Sequence, residues 1–242
     1  MFDYDRARIA QDYAQHRRVH PGVLEALLRA EGLCASARVL EIGCGSGNYA
    51  AALSAAVGCR CIGVDPSIQM ARQALAQPGI LVGASAGEAL PLAPGSFDLA
   101  FSVDVIHHVR DRQAFYAEAA RVLRPGGLLC TATDSEEIIR AREPLTTYFP
   151  ETVAADLARY PTLAELQAQM RATGLEVAPE QQVEFAWALR DLAPYRARAY
   201  SVLHLIPEAA FTRGLAWMER DLARGPIQAV SRYCILWGRN PP

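Results

Sequence analysis

The chain has 242 residues, of which 51% are hydrophobic and 21% charged, enough to bury a full core without disulfides or a structural metal. All 24 basic residues are Arg, which excludes P-loop NTPases, Schiff-base and pyridoxal-phosphate enzymes and protein kinases, because each needs a lysine at its reacting centre. A formal net charge of −2 leaves no cationic excess to track a phosphate backbone, so nucleic acid is not an expected partner.

The N-terminal MFDYDRARIAQD is charged from Asp3 onward, and no apolar run approaches the roughly 18 residues of a membrane span. Neither secretion nor a membrane is expected. Cys34, Cys44, Cys59, Cys61, Cys130 and Cys234 lack paired zinc spacings and sit mostly in apolar runs, which points to free thiols and a cytoplasmic protein with no metal site.

Residues 4–33 read as helical, with Val23, Leu24, Leu27 and Leu28 on one face, and form an N-terminal cap over 1–34. Strands are predicted at 38–42, 60–64, 80–82, 98–103 and 128–133. Helices are predicted at 48–57, 67–76 and 111–123, with Asp65, Ser67 or Asp111 as caps and Pro125-Gly126-Gly127 as a stop. This alternation predicts an α/β fold, a Rossmann-like, mostly parallel sheet with helices on both faces. Its cofactor-binding core would span 35–135. Beyond Asp134 the pattern turns helical (150–159, 162–173, 191–204, 208–224), with strands only at 175–185 and 231–238. Residues 136–230 therefore read as a helix-rich substrate lid on a single domain, and 231–242 as the final strand and tail.

The strongest local signal is Val39-Leu40-Glu41-Ile42-Gly43-Cys44-Gly45-Ser46-Gly47, an apolar strand that runs into three glycines at alternate positions and then a helix. Such glycines serve where backbone takes φ values closed to other residues or approaches a ligand closely. Asp65 ends the second strand 18 residues beyond Gly47, where a carboxylate can accept both ribose hydroxyls. The third glycine falls one place too early for the nicotinamide fingerprint. Glu41 at the loop mouth would repel a pyrophosphate and suits a ligand carrying an ammonium and a sulfonium, as S-adenosylmethionine does.

VLEIGCGSGNYA at 39–50, GVDPSIQMA at 63–71, GEALPLAPGSFDLAFS at 87–102 and RVLRPGGLL at 121–129 follow one another in an order and spacing that resembles the class I S-adenosylmethionine-dependent methyltransferases. The likeness is to the broad group that includes ubiquinone-biosynthesis and natural-product sugar methyltransferases, and it covers about residues 35–135. The resemblance implies that Glu41, Gly43, Cys44 and Gly45 surround the methionine part of the cofactor. It implies that Asp65 holds the ribose, that Pro66, Ser67 and Met70 lie near the adenine, and that Ser102 and Val103 border the site. Ala86, Gly87 and Glu88 would flank the adenine edge. The family often carries an Asp at position 86, and Ala86 departs from it, leaving Ser85, Gly87 or Glu88 as substitutes. Tyr13 and Arg17 stand where related proteins reach the cofactor carboxylate, although a packed tyrosine and a solvated arginine fit them equally well.

Ser102-Val103-Asp104-Val105-Ile106-His107-His108 ends the fourth strand, and ligands in open α/β sheets sit beyond the carboxyl ends of strands. His107 or His108 is the candidate base for a hydroxyl acceptor, with one of the pair expected to be structural. Asp134, at the same sheet end, would orient the histidine, contact substrate or cap a helix. Tyr148, Phe149, Tyr160, Trp187, Tyr195, Tyr200, Phe211 and Trp217 supply aromatic surface to the lid, most of it expected in its core. Arg190, Arg196 and Arg198 offer a site for an acidic group on the substrate or, as the simpler account, a solvated helix face. The expected activity is methyl transfer to a small molecule. A nucleic-acid methyltransferase would carry an Asn/Asp-Pro-Pro-aromatic turn where this chain has Asp104-Val105-Ile106-His107, and a non-catalytic S-adenosylmethionine-binding protein remains an alternative.

Overall fold

The computed structural model of the protein describes residues 18–242. Tyr13, Arg17 and most of the expected N-terminal helix lie outside the described residues. Helix α1 (Pro21–Leu28) starts where Pro21 occupies the first turn and the buried His20 caps it, Nδ1 accepting from Val23 N at 3.3 Å.

The first half alternates β1 (Arg38–Ile42), α2 (Asn48–Val57), β2 (Arg60–Asp65), α3 (Ile68–Ala74), β3 (Ile80–Ala84), β4 (Phe97–Val103), α4 (Arg112–Val122) and β5 (Leu123–Thr133). Each predicted strand is present. Ser67 caps α3 and Asp111 caps α4, whereas the Asp65 carboxylate accepts instead from the loop N–H groups of Gly45 and Ser67. The expected stop at Pro125-Gly126-Gly127 is corrected. Leu123 begins β5 directly after α4, and these residues lie inside the strand, where pairing with β4 shifts register between Phe97 and Leu99. Such a bulge accommodates a proline that cannot donate to the ladder.

The second half contains α5 (Glu136–Arg140), α6 (Leu145–Tyr148), α7 (Glu151–Leu157), α8 (Leu163–Ala172), β6 (Glu176–Val177), β7 (Gln181–Leu189), α9 (Ala193–Arg196), α10 (Glu208–Leu222) and β8 (Ile227–Arg239). Two expectations fail here. The single strand over 175–185 is broken around Pro179 into β6 and β7, and the latter runs on to Leu189. The single helix over 191–204 is only α9 and a 3₁₀ turn (Ser201–His204), interrupted at Arg198, whose φ is +50°. Tertiary contacts override the helical pattern: the Arg198 guanidinium lies 3.8 Å from the Phe211 ring centroid and His204 Nε2 bonds the Arg198 carbonyl at 2.9 Å.

The sheet order is β3-β2-β1-β4-β5-β8-β6, with β7 also on β8. β1 to β5 are mutually parallel and β8 runs antiparallel to β5. One face buries Leu40, Ile42, Ala100 and Leu129 against Phe115, Tyr116 and Met170, and the other buries Val39, Leu99, Phe101 and Cys130 against Val23, Leu27 and Leu53. Burial on both faces explains why these strands read as continuous apolar runs.

Pairing between β5 and β8 ends at Thr133↔Cys234, whereas β7 and β8 stay paired out to Leu189↔Ile227. A two-stranded ribbon thus overhangs the carboxyl ends of the parallel strands. It is held there by a separate apolar core of Leu145, Phe149, Leu192, Tyr195, Phe211 and Met218. The lid therefore owes its position to packing of its own, not to the sheet alone.

Candidate active site

A cavity of about 680 Å³ lies between the β1 end and the overhanging ribbon. Glu41, Gly43, Cys44 and Ser46 form its sheet side, Phe185, Trp187 and Tyr233 its ribbon side, and Tyr195 and Tyr200 the lid. Phe185 and Trp187 stack at 5.8 Å with planes 15° apart. Strand alternation put Phe185 and Trp187 on one face; the ribbon's overhang, which the sequence pattern does not show, turns that face to the cavity.

The glycine loop is tightly built. The N–H groups of Gly43 and Cys44 both donate to the Val64 carbonyl, at 2.8 and 2.9 Å, and Gly45 N donates to Asp65 Oδ2 at 2.9 Å. Gly43 has φ +76°, and a Cβ there would lie 2.6 Å from Val105 Cγ2. Only glycine lets the ends of β1 and β4 approach this closely. Gly87 is a packing glycine, since its Cβ would strike Phe115 at 2.6 Å.

Glu41 is 3% exposed, and Oε2 accepts from Ala50 N at 2.9 Å. Burial, helped by Asp65 and opposed by the Ala50 hydrogen bond, pushes its carboxyl up to about 8. Such a group holds a proton at pH 7 until a cation arrives. The two carboxylates suit a ligand whose ammonium donates to Glu41 and whose hydroxyls donate to Asp65, so cation binding is expected to expel the Glu41 proton. Affinity for S-adenosylhomocysteine should then rise as pH increases from 6 to 8, by up to about tenfold per unit, and level off above the Glu41 value. Calorimetric titration in buffers of different ionisation enthalpy reads the released proton directly; a pH-independent affinity contradicts this. The sign for stability is opposite. Because the folded value lies above the ordinary 4.5, Glu41 favours the ligand-free folded state at low pH and loses that contribution as pH rises through about 8.

Of the other residues expected at the cofactor, Val103 lines the cavity, while Gly45, Asp65, Pro66, Ser67, Met70, Ala86, Gly87, Glu88 and Ser102 lie outside its lining. Ser67 caps α3, Met70 is buried, Ala86 is exposed, and Glu88 Oε1 accepts from Arg110 N at 3.2 Å. Ser85 Oγ donates to the Ala89 carbonyl at 2.9 Å. The buried Cys44 thiol lines the cavity, and burial pushes it up so that it stays protonated.

His107, His108 and Asp134 gather at the carboxyl ends of β4 and β5, but none of them lines the cavity. The His107 side chain is 2% exposed, stacks on Tyr160 at 4.0 Å, and has Nδ1 3.8 Å from Asp104 Oδ1. Burial drives its value well below 6.5, with Asp104 opposing, so the ring is neutral. The His108 ring lies 4.0 Å from that of His107. Asp134 does not cap a helix, because Ser135 caps α5; it pairs with Arg142.

That ion pair opens a buried cluster between core and lid. Arg142 Nη1 donates to Asp156 at 2.7 Å, Arg159 Nε to the same carboxylate at 2.7 Å, and Arg159 Nη2 to Ser201 at 3.0 Å. Tyr160 donates to Asp104 at 2.9 Å, and both guanidinium groups lie over its ring, at 5.9 and 5.4 Å. Asp104 itself has φ +60°. Sequence reasoning missed Arg142, Asp156 and Arg159, because no spacing distinguishes them from solvated charges.

A family model described as a methyltransferase domain matches residues 40–131. The ubiquinone biosynthesis O-methyltransferase of Agrobacterium fabrum is 30% identical over 223 residues, covering 86% of this chain and 83% of that protein. The chain belongs to the class I S-adenosylmethionine-dependent methyltransferases. A similarly named protein of Rhizobium johnstonii is 32% identical to this methyltransferase over 160 residues, 61% of this chain and 63% of that protein. Among solved structures, the YcgJ protein of Bacillus subtilis shares the fold at TM-score 0.63 and 22% identity, covering 92% of this methyltransferase and all of that chain. The [4+2]-cyclase SpnF shares it at TM-score 0.64 and 18% identity over 98% and 93% of the two chains, so the fold alone does not fix the reaction.

Proposed function

We propose that the protein transfers a methyl group from S-adenosylmethionine to an oxygen or nitrogen of a small molecule held in the cavity. The observation that carries this reading is the single cavity joining Glu41, Gly43 and Cys44 to the aromatic ribbon and lid. Its size, about 680 Å³, suits a cofactor end and an acceptor side by side. The names of the similar ubiquinone-biosynthesis proteins favour oxygen. Six free thiols fit a reducing cytoplasm, and no helix among the described residues is long and apolar enough to cross a membrane.

In this reading Glu41 pairs with the ammonium of the cofactor, the backbone at Gly43 and Gly45 bounds its methionine part, and Asp65 accepts from the ribose. Pro66, Ser67, Met70, Ala86, Gly87 and Glu88 surround the adenine, with Ser102 and Val103 at the β4 end. The cofactor supplies a methyl group already activated by a sulfonium, so the protein has to align the acceptor with it and exclude water. Asp134 acts by holding Arg142, and His107 and His108 act by fixing Tyr160 and the strand end. His107→Ala should then keep cofactor affinity and lower turnover by loosening Tyr160. Full turnover in that variant contradicts a role for the stack.

Incubation with S-adenosylmethionine labelled at the methyl group, against a panel of phenols and amines, tests the proposal. Label is expected in a small molecule. Label found only in nucleic acid or protein overturns it, as does binding of NAD in place of the adenosyl ligands.

A further inference from the structure

Nothing in the sequence singles out His20, yet it stands where the walls of the cavity meet. It is 6% exposed and lines the cavity together with Tyr49, Phe185, Ser231 and Tyr233. A main-chain carbonyl only accepts, so Nε2 carries the ring hydrogen and donates to the Ser231 carbonyl at 3.1 Å. Nδ1 is then the acceptor for Val23 N, the bond that caps α1. Burial lowers the ring below the ordinary 6.5, with the Ser231 bond opposing, so it is neutral at pH 7. Both nitrogens are occupied, which leaves no lone pair with which the ring could act as a base.

The bond to Ser231 reaches the overhang itself. Pairing of β8 with β5 ends at Cys234, and Ser231, beyond that point, lies opposite Phe185 of β7. The His20 ring meets Phe185 edge-on at 6.1 Å and Tyr233 at 5.3 Å, with interplanar angles of 81° and 85°. On the other side the His20 main-chain N–H donates to Tyr49 Oη at 2.9 Å, and Tyr49 stands in the first turn of α2, directly after the glycine loop. Gly22 lets α1 press against β7, since a Cβ there would lie 2.9 Å from Val183 Cβ. His20 thus ties the aromatic ribbon, the start of α1 and the helix of the glycine loop to one another.

Resting on the methyl-transfer reading above, we propose that His20 is a positioning residue for methyl transfer: its ring latches the β7–β8 ribbon to α1 and, through Tyr49, to the glycine loop, which fixes the separation of the acceptor's wall from the donor's. In this role it touches no reacting atom. Displacement at carbon needs the attacking atom, the methyl carbon and the sulfur in line, and a misplacement of about 1 Å costs on the order of a hundredfold in rate. Donor affinity is set on the glycine-loop side and does not depend on the latch.

Two substitutions separate the latch from the helix cap. In His20→Asn the side-chain oxygen takes the place of Nδ1 and accepts from Val23 N, so α1 keeps its cap, but the amide stops short of Ser231. In His20→Gln the amide nitrogen takes the place of Nε2 and reaches the Ser231 carbonyl, while Val23 loses its cap. Turnover is read with methyl-labelled S-adenosylmethionine and the acceptor that takes up label, donor affinity by calorimetry with S-adenosylhomocysteine, and the ribbon's position from the fluorine resonance of Trp187 in fluorotryptophan-labelled protein. The chain has three tryptophans, and Trp187→Phe assigns the resonance. In His20→Asn turnover is expected to fall about tenfold to a hundredfold and the Trp187 resonance to move, with donor affinity within about threefold of wild type. His20→Gln is expected to restore most of the turnover and the wild-type resonance. Wild-type turnover and resonance in His20→Asn overturn the proposal, because the ring is then a helix cap only; equal losses in the two variants overturn it as well. A wild-type protein that does not bind S-adenosylhomocysteine defeats the methyl-transfer reading and the proposal with it, and this is told apart from failure of the latch by the Trp187 resonance, which needs no ligand.

Discussion

Gly45→Val is expected to weaken S-adenosylhomocysteine binding by about a hundredfold or more, equivalent to about 2.7 kcal/mol. Gly45 has φ +52°, and a β-branched residue at positive φ is a genuine outlier. The strain alone costs about 1–2 kcal/mol, and more for a branched side chain. The loop can relieve it only by rotating the peptide, which withdraws the Gly45 N–H from Asp65 Oδ2, now at 2.9 Å. That bond ties the methionine side of the site to the ribose side, so both ends of the cofactor are affected together. Thermal melting should remain cooperative, because Gly45 is not part of either apolar face. Wild-type affinity in a folded Gly45→Val protein contradicts the placement of the cofactor.

Asp156→Ala is expected to cost about 3–5 kcal/mol of stability, since it leaves two guanidinium groups buried without their shared carboxylate. Both Asp156 oxygens are occupied, Oδ2 by Arg142 and Oδ1 by Arg159, each at 2.7 Å. The comparison is Glu136→Gln, which removes the Arg140–Glu136 pair between side chains 57% and 60% exposed. That surface pair is worth about 0.3–0.5 kcal/mol at most. Urea unfolding of the two variants reads the difference. Equal losses would mean that the cluster between lid and core is solvated and holds nothing in place.

The parallel core was legible because its strands are buried on both faces, and the glycine loop because its conformation admits few residue types. Glu41 was legible through its charge at the loop mouth, which disfavours a pyrophosphate and suits a cationic ligand. The lid was not. Its helical periodicity over 191–204 is real, but Arg198 is drawn into the left-handed region by contacts with Phe211 and Glu208 that no local pattern encodes. Arg196, taken for part of a solvated face, is indeed surface-paired with Glu219, whereas Arg190 lines the cavity. Of the eight lid aromatics, Trp187, Tyr195 and Tyr200 line the cavity, Tyr148, Phe149 and Phe211 are in the lid core, Tyr160 joins the ion cluster and Trp217 is 41% exposed.

Sheet topology places His107 and His108 at the right end of the sheet but does not set the layer they occupy. The rule that sites lie at the carboxyl ends of strands located His107 and His108 to within one layer of the cavity. Which layer depended on Tyr160 arriving from the lid to stack on the His107 ring, with Arg142 lying over Tyr160 in turn. Those residues lie far along the chain from the β4 end, and nothing in their neighbours marks them as polar groups that will be buried.

A crystal structure of the protein with S-adenosylhomocysteine bound decides where the methyl donor sits. The ligand ammonium is expected within hydrogen-bond distance of Glu41, the ribose hydroxyls on Asp65, and the sulfur facing the space bounded by Arg142, Phe185 and Trp187. A ligand seated elsewhere, or a sulfur directed away from the ribbon and lid, would contradict the placement of the methyl-bearing end of the donor beside its acceptor in one cavity.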